Sequence, residues 1–69
     1  MIYVFKTSVE TKTQVKKLQP HIDKIIPGEK WNFDLDDCDN ILRIESDGDI
    51  ALKITALLKT HQFHCEELQ

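Results

Sequence analysis

Two short segments of alternating apolar and polar residues, one on each side of an acidic turn, constrain the fold of this chain most strongly. The apolar members of the two segments are Trp31, Phe33, Leu35, Leu42 and Ile44. A period of two residues is typical of a strand with one buried face. The pattern therefore predicts a β-hairpin that contributes these side chains to the core, with residues 36–40 as its turn.

The first six residues predict another strand. Ile2, Tyr3, Val4 and Phe5 are strand formers, and alternation sends the two aliphatic side chains to one face and the two aromatic ones to the other. We assign Ile2 and Val4 to the core. Tyr3 and Phe5 are then expected on the open face of the sheet, where they would form an aromatic contact patch.

A helix is expected from Thr11 to about Ile26. Thr11 followed by Gln14 is a capping-box pattern, although Thr7 followed by Glu10 would permit an earlier start. The apolar residues that follow at helical spacing are Val15, Leu18, Ile22, Ile25 and Ile26.

Pro20 interrupts this helical pattern. A proline in a regular helix interior removes one backbone donor and costs about 3 kcal/mol. Pro20 projects to the polar side of the helix, where a kink leaves the apolar stripe in place. We therefore predict one bent helix that ends at Pro27-Gly28, with two short helical pieces as the alternative.

A second helix and a last strand complete the chain. Residues 46–49, Ser-Asp-Gly-Asp, predict the start of the helix because serine and aspartate side chains can cap free amides. The residues of its apolar stripe are Ile50, Ile54, Leu57, Leu58 and His61. Residues 63–68 predict a strand with Phe63 and Cys65 on one face and His64 and Glu66 on the other.

The order strand, helix, strand, strand, helix, strand contains two βαβ units, each of which needs a right-handed crossover. It predicts an α+β, ferredoxin-like βαββαβ fold with a four-stranded antiparallel sheet and two helices on one face. A chain of 69 residues is expected to form a single domain, residues 1–69. The predicted core consists of Ile2, Val4, Val15, Leu18, Ile22, Ile25, Trp31, Phe33, Leu35, Leu42, Ile44, Ile50, Ile54, Leu57, Phe63 and Cys65.

Composition argues against several classes of partner. The net charge of −3 provides no general attraction to nucleic acid or to a membrane surface. No apolar run reaches the length of a membrane span, and no secretory signal begins the chain. We therefore expect a cytoplasmic protein in which Cys38 and Cys65 are reduced thiols, with one disulfide between them as the alternative.

Several short segments resemble heavy-metal-associated domains, the family of small copper chaperones and of the N-terminal modules of metal-transporting ATPases. Residues 27–28, Pro-Gly, and residues 31–35, Trp-Asn-Phe-Asp-Leu, are similar to the family's proline-glycine-valine turn and its valine-x-valine-aspartate-leucine strand. Residues 56–57, Ala-Leu, and 62–63, Gln-Phe, resemble its second helix and its closing glycine-tyrosine. The resemblance covers most of the chain and implies the ferredoxin-like fold.

The family's metal-binding loop is missing, however. Family members hold Cu(I) or another soft ion by two thiolates in a methionine-x-cysteine-x-x-cysteine loop. The corresponding positions here are Thr11 and Gln14, or Ser8 and Thr11 after slippage by one turn. Hydroxyl and amide groups are poor soft-metal ligands, so the family's metal transfer is not expected. Gln62 also replaces the family's usual glycine, with about 1 kcal/mol of left-handed strain if the turn is kept.

Two other groups of residues have metal-ligating side chains. The His–Cys cluster (His61, His64 and Cys65) could hold a Cu or Zn ion, but strand alternation sends His64 and Cys65 to opposite faces. The acidic residues of the hairpin, which would suit Ca²⁺ or Mg²⁺, are Asp34, Asp36, Asp37 and Asp39. Their spacing departs from that of an EF-hand, and a solvated turn explains them better.

The sequence shows no catalytic pattern, such as a glycine-rich phosphate loop or an ordered nucleophile and base. Tyr3 and Phe5 could stack RNA bases in this fold, but Asp34, Glu66 and the acidic turn would repel phosphate. We therefore expect a non-enzymatic binding module without a cofactor, which contacts a protein partner or forms a homodimer. The alternative is residual binding of a Cu or Zn ion by the His–Cys cluster.

Overall fold

The computed structural model describes residues 1–36 and 38–68, which form four strands and two helices. In chain order the elements are β1 (Ile2–Thr7), α1 (Lys12–Ile25), β2 (Lys30–Asp34), β3 (Ile41–Glu45), α2 (Ala51–Thr60) and β4 (Cys65–Leu68). The order is the one predicted from the sequence. The last strand begins at Cys65 rather than Phe63, because the chain first turns through Gln62, whose φ is 69°.

The strands form one antiparallel sheet in the order β2-β3-β1-β4. In the hairpin of β2 and β3, Trp31 pairs with Ile44 and Phe33 pairs with Leu42, so the predicted buried face of this hairpin is confirmed. The same core cluster contains residues of both α1 and α2, which places both helices on that face of the sheet. The predicted ferredoxin-like α+β fold is therefore confirmed.

The predicted faces of β1 are wrong. Phe5 pairs with Leu42 and is 0% exposed, whereas Ile2 is 66% exposed on the opposite face. Tyr3 also lies on the helix side, where it packs against the core and donates a hydrogen bond from Oη to the carbonyl oxygen of Gly48 at 2.8 Å. Both faces of β1 are apolar, so alternation alone did not indicate which one the helices would cover. The expected contact patch of Tyr3 and Phe5 on the open face is therefore wrong: Phe5 lies in the core, and half-buried Tyr3 packs against it.

The core combines residues of both helices with one face of the sheet. Its buried members are Phe5, Val9, Leu18, Ile22, Ile26, Leu42, Ile44, Ile50, Ile54, Leu58 and Cys65. The half-buried side chains that pack against them are Tyr3, Val15, Ile25, Trp31, Phe33, Leu35, Ala51, Leu57 and Phe63. The sequence did not predict Val9 as a core residue, because it follows β1 in a loop, where no periodicity marks a buried position.

α1 begins with the predicted capping box. The Thr11 hydroxyl oxygen accepts a hydrogen bond from the Gln14 backbone N–H, and Gln14 Oε1 accepts one from the Thr11 backbone N–H, both at 3.1 Å. The helix then runs unbroken through Pro20 to Ile25. The single helix is confirmed, and the earlier start and the two-piece alternative are wrong. Because proline has no N–H, the carbonyl group of Lys16, four residues earlier, lacks its usual amide partner. Pro20 and Lys16 are both exposed, so water can solvate this carbonyl.

α2 begins without the predicted cap. Its N-cap residue is Ile50, which makes no side-chain capping hydrogen bond. The Ser46 hydroxyl oxygen instead accepts a hydrogen bond from the Gly48 N–H at 3.1 Å and closes a turn before the helix. At the other end of α2, His61 is exposed, although its spacing placed it on the apolar stripe.

Candidate functional site

An open groove of about 800 Å³ runs between α1 and β2. We call it the α1–β2 groove; its lining comprises Lys12, Val15, Lys16, Gln19 and Asp23 on the α1 side and residues 29–36 on the β2 side. A concave surface that combines apolar side chains with a few polar groups is the expected form of a binding site.

Half-buried apolar side chains form the floor of the groove: Val15, Trp31, Phe33 and Leu35. The rings of Trp31 and Phe33 meet edge to face, with their centroids 5.9 Å apart. The indole Nε1 of Trp31 donates a hydrogen bond to Asp23 Oδ1 at 3.0 Å. This bond ties β2 to α1 and holds the indole in one orientation while part of the ring remains accessible.

Charges of both signs flank the apolar floor. Lys12 and Lys16 lie in the first half of α1, and Asp23 lies near its end. Lys30 begins β2 and Asp34 ends it. Because α1 and β2 run in opposite directions, each end of the groove combines a lysine on one wall with an acidic residue on the other.

β2 is an edge strand of the sheet. Within residues 1–36 and 38–68 it pairs only with β3, which leaves one row of its backbone N–H and C=O groups without a strand partner. Such a row is a template for pairing with another strand. Asp34 also remains at this edge, held with its Oδ2 atom 3.7 Å from Nη1 of Arg43 on β3.

Side chains of the loop after β1 are engaged in structural hydrogen bonds. Ser8 and Thr11, two of the positions where the resemblance places cysteines, each accept a backbone N–H: Ser8 Oγ from His64 at 2.8 Å, and Thr11 Oγ1 at the N-cap of α1. The Thr7 hydroxyl donates to the carbonyl oxygen of Asn40 at 2.7 Å. These hydroxyls join the end of β1 and the loop after it to the residue before β4, to the start of α1 and to the hairpin turn.

The structure does not bring the His–Cys cluster together. The His61 ring lies against His21, with centroids 4.6 Å apart, and exposed His64 has its Nε2 atom 3.8 Å from Glu66 Oε2. Cys65 is buried, and burial raises the pKa of its thiol, while a hydrogen bond with Thr55 and the charge of Lys59 lower it. Among the described residues, histidine, cysteine and acidic side chains form no group of three or more that could hold a metal ion.

The acidic turn of the hairpin is only partly described, and Asp37 lies outside the described residues. Cys38 is exposed in this turn, and Asp39 Oδ1 lies 3.5 Å from Nζ of Lys6. The free cysteines in the described chain are Cys38 and buried Cys65, so the disulfide alternative is wrong for this structure.

Sequence patterns placed Trp31 and Phe33 in the core and assigned no site to Lys16, Asp23 or Asn32, although all five line the groove. Alternation correctly predicts the inward direction of the two aromatic side chains. It carries no information about how far α1 covers them. The signal that could have marked this surface is the composition of residues 30–34, Lys-Trp-Asn-Phe-Asp, with opposite charges at the two ends of one short strand.

No protein-family model matches the chain, and no curated protein is significantly similar to it. In the described part of the chain, neither helix combines the length and hydropathy that a membrane span requires.

Proposed function

We propose that this chain is a non-enzymatic protein-interaction module with a fold like that of heavy-metal-associated domains, and that its contact surface is the α1–β2 groove together with the free edge of β2. The observation that carries the proposal is the position of Trp31 and Phe33. Both rings are half-buried beside an unpaired strand edge, and both line an open groove. Accessible aromatic side chains of this kind dominate the energetics of many protein interfaces.

The expected mode of binding is addition of an extended segment to β2. Backbone hydrogen bonds to the edge would supply affinity that depends little on sequence, and alternate side chains of the added strand would point toward the groove. These side chains would meet Trp31 and Phe33, while Lys16 and Asp23 on the α1 wall would select their charge.

The hydrogen bonds of the loop after β1 also support the part of this proposal that the loop has lost its soft-metal site. Ser8 and Thr11 use their hydroxyl groups to accept backbone N–H donors, which suits a structural role for the loop. The alternative function, Cu or Zn binding by His61, His64 and Cys65, has less support. The His61 ring lies against His21, and Cys65 is buried whereas His64 is exposed.

Site-specific photo-crosslinking in the organism's own cells tests the proposal. A photoreactive residue at Gln19, an exposed position in the groove, is expected to form covalent adducts. The same residue at Lys53, an exposed position on α2, is the matched control and is expected to form far fewer. Equal adducts at both positions, or none at Gln19, would overturn the proposal.

A further inference from the structure

We infer that the occupant of the β2 edge is a second copy of this chain, paired antiparallel through β2 across a two-fold axis at Asn32. The inference rests on the proposed function, because it uses the same surface. Two four-stranded sheets joined in this way would form one continuous eight-stranded antiparallel sheet. A two-fold interface requires a surface that is complementary to itself, and β2 meets this requirement residue by residue.

The charges of β2 are self-complementary. In an antiparallel pair centred on Asn32, Lys30 of each copy lies opposite Asp34 of the other. Both residues belong to the open face of the sheet, because they alternate along β2 with Trp31 and Phe33, which pack against the core. The two symmetry-related pairs therefore join opposite charges directly across the new strand boundary, which favours pairing.

The aromatic residues match in the same register. Trp31 of one copy lies opposite Phe33 of the other, and both belong to the face that the helices cover. Aromatic cross-strand pairs are favourable, and two such pairs would meet at the axis beneath the two copies of α1. Pairing would cover rings that are only half-buried in the single chain.

The charged residues on the α1 wall of the groove are also complementary under this two-fold symmetry. A two-fold axis through the middle of β2 brings the end of one α1 toward the beginning of the other. Asp23 near the end of α1 would therefore face the side on which the second copy carries Lys12 and Lys16. Opposite charges therefore face each other both between the two copies of β2 and between the two copies of α1.

The other edge of the sheet cannot pair with itself in this way. β4 carries Glu66 and Glu67 at its centre. Antiparallel pairing of two copies of β4 places glutamate opposite glutamate in each central register, and like charges directly opposite each other are destabilising. The contrast between the edges selects β2 as the site of self-association.

Charge reversal tests the register. Lys30→Asp or Asp34→Lys alone replaces two attractive cross-strand pairs by two repulsive ones and is expected to weaken dimerisation about tenfold or more. The double variant K30D/D34K restores opposite charges in both pairs and is expected to dimerise like the original chain. An equimolar mixture of the two single variants also restores both pairs, so heterodimers are expected to exceed either homodimer.

Sedimentation and native mass spectrometry of the purified chain measure these equilibria. Lys53→Asp, which reverses an exposed lysine on α2, is the matched control and is expected to leave dimerisation unchanged. Thermal unfolding of each variant reports on folding separately, and heterodimer formation itself requires two folded chains. A monomer at all concentrations, or a dimer that K30D and D34K do not weaken, would overturn the inference.

The crosslinking result and the oligomeric state of the purified chain together distinguish failure of self-pairing from failure of the proposed function. Adducts from Gln19 with twice the mass of the chain support both. Adducts of another mass together with a monomeric purified chain support the protein-interaction surface and overturn self-pairing. Absence of adducts at Gln19 together with a monomeric chain overturns both.

Discussion

The indole Nε1 of Trp31 donates a hydrogen bond to the carboxylate of Asp23 at 3.0 Å, and this bond joins the edge strand to the end of α1. It lies at one end of the α1–β2 groove and orients the largest side chain of its floor. The geometry of the groove therefore depends on one polar contact as well as on apolar packing.

Asp23→Ala is expected to lower the free energy of unfolding by about 1 kcal/mol, because it removes one hydrogen bond with a charged acceptor at a solvated site. Trp31 is the only tryptophan, so its emission spectrum should report the released indole directly. Asp47→Ala, which removes only a weak exposed ion pair with the N-terminus, is the control and is expected to change neither quantity. An unchanged emission spectrum for Asp23→Ala would contradict the role assigned to this bond.

Gln62→Gly is expected to stabilise the chain by up to about 1 kcal/mol. Gln62 has a φ of 69°, and glycine adopts this left-handed conformation without the steric cost that a side chain imposes. Denaturant unfolding measures the change. Asn40→Gly, at a φ of 49°, is the comparison; it should gain less, because asparagine tolerates this region better than glutamine. Loss of stability in Gln62→Gly would show that the turn is not strained.

Thr11→Ala is expected to destabilise the fold by about 1 kcal/mol, because it removes the side-chain acceptor of the capping box. Thr13→Ala, at an exposed position inside α1, removes the same atoms without a cap and should be neutral or slightly stabilising. Urea unfolding of both variants gives the comparison. Equal effects of the two substitutions would contradict the assigned helix start.

The orientation of β1 predicts that alanine substitutions at two of its positions differ greatly in the folding stability that they cost. Phe5→Ala is expected to cost about 3 to 5 kcal/mol, because it opens a cavity in the core, whereas Ile2→Ala on the exposed face should cost well under 1 kcal/mol. Because Phe5→Ala can unfold a small domain completely, Phe5→Leu provides a milder measurement of the same site. A larger loss for Ile2→Ala than for Phe5→Leu would restore the orientation expected from the sequence.

The buried thiol of Cys65 is expected to make the folded chain less stable at alkaline pH. Burial raises the pKa of its thiol above the ordinary value of 9.0, so the unfolded chain releases this proton at a lower pH than the folded chain. The resulting contribution to stability is complete below pH 9.0 and declines as the pH rises through the folded pKa. Denaturant unfolding between neutral and alkaline pH should show a shallower decline for Cys65→Ala than for the original chain. Identical declines would contradict the prediction.

Sequence patterns predicted the features that depend on neighbouring residues. The capping box of Thr11 and Gln14 lies within one turn of helix, and the facing positions of Trp31 and Ile44 follow from alternation in a short hairpin. The strain at Gln62 was predicted from the resemblance to a family that has glycine in this turn, and the structure has the expected positive φ. Each of these features is governed by backbone sterics or local hydrogen bonding.

Only the packed chain decided which face of β1 is buried and which surface remains open. Ile2 and Phe5 are both apolar, and the choice between their faces depends on the register of β1 with β3 and on the side to which the helices return. The groove likewise depends on the distance between α1 and the edge of β2, which no local pattern encodes. Periodicity specifies a direction for each side chain, whereas long-range packing specifies what covers it, and in this protein the candidate binding surface is the part that packing leaves uncovered.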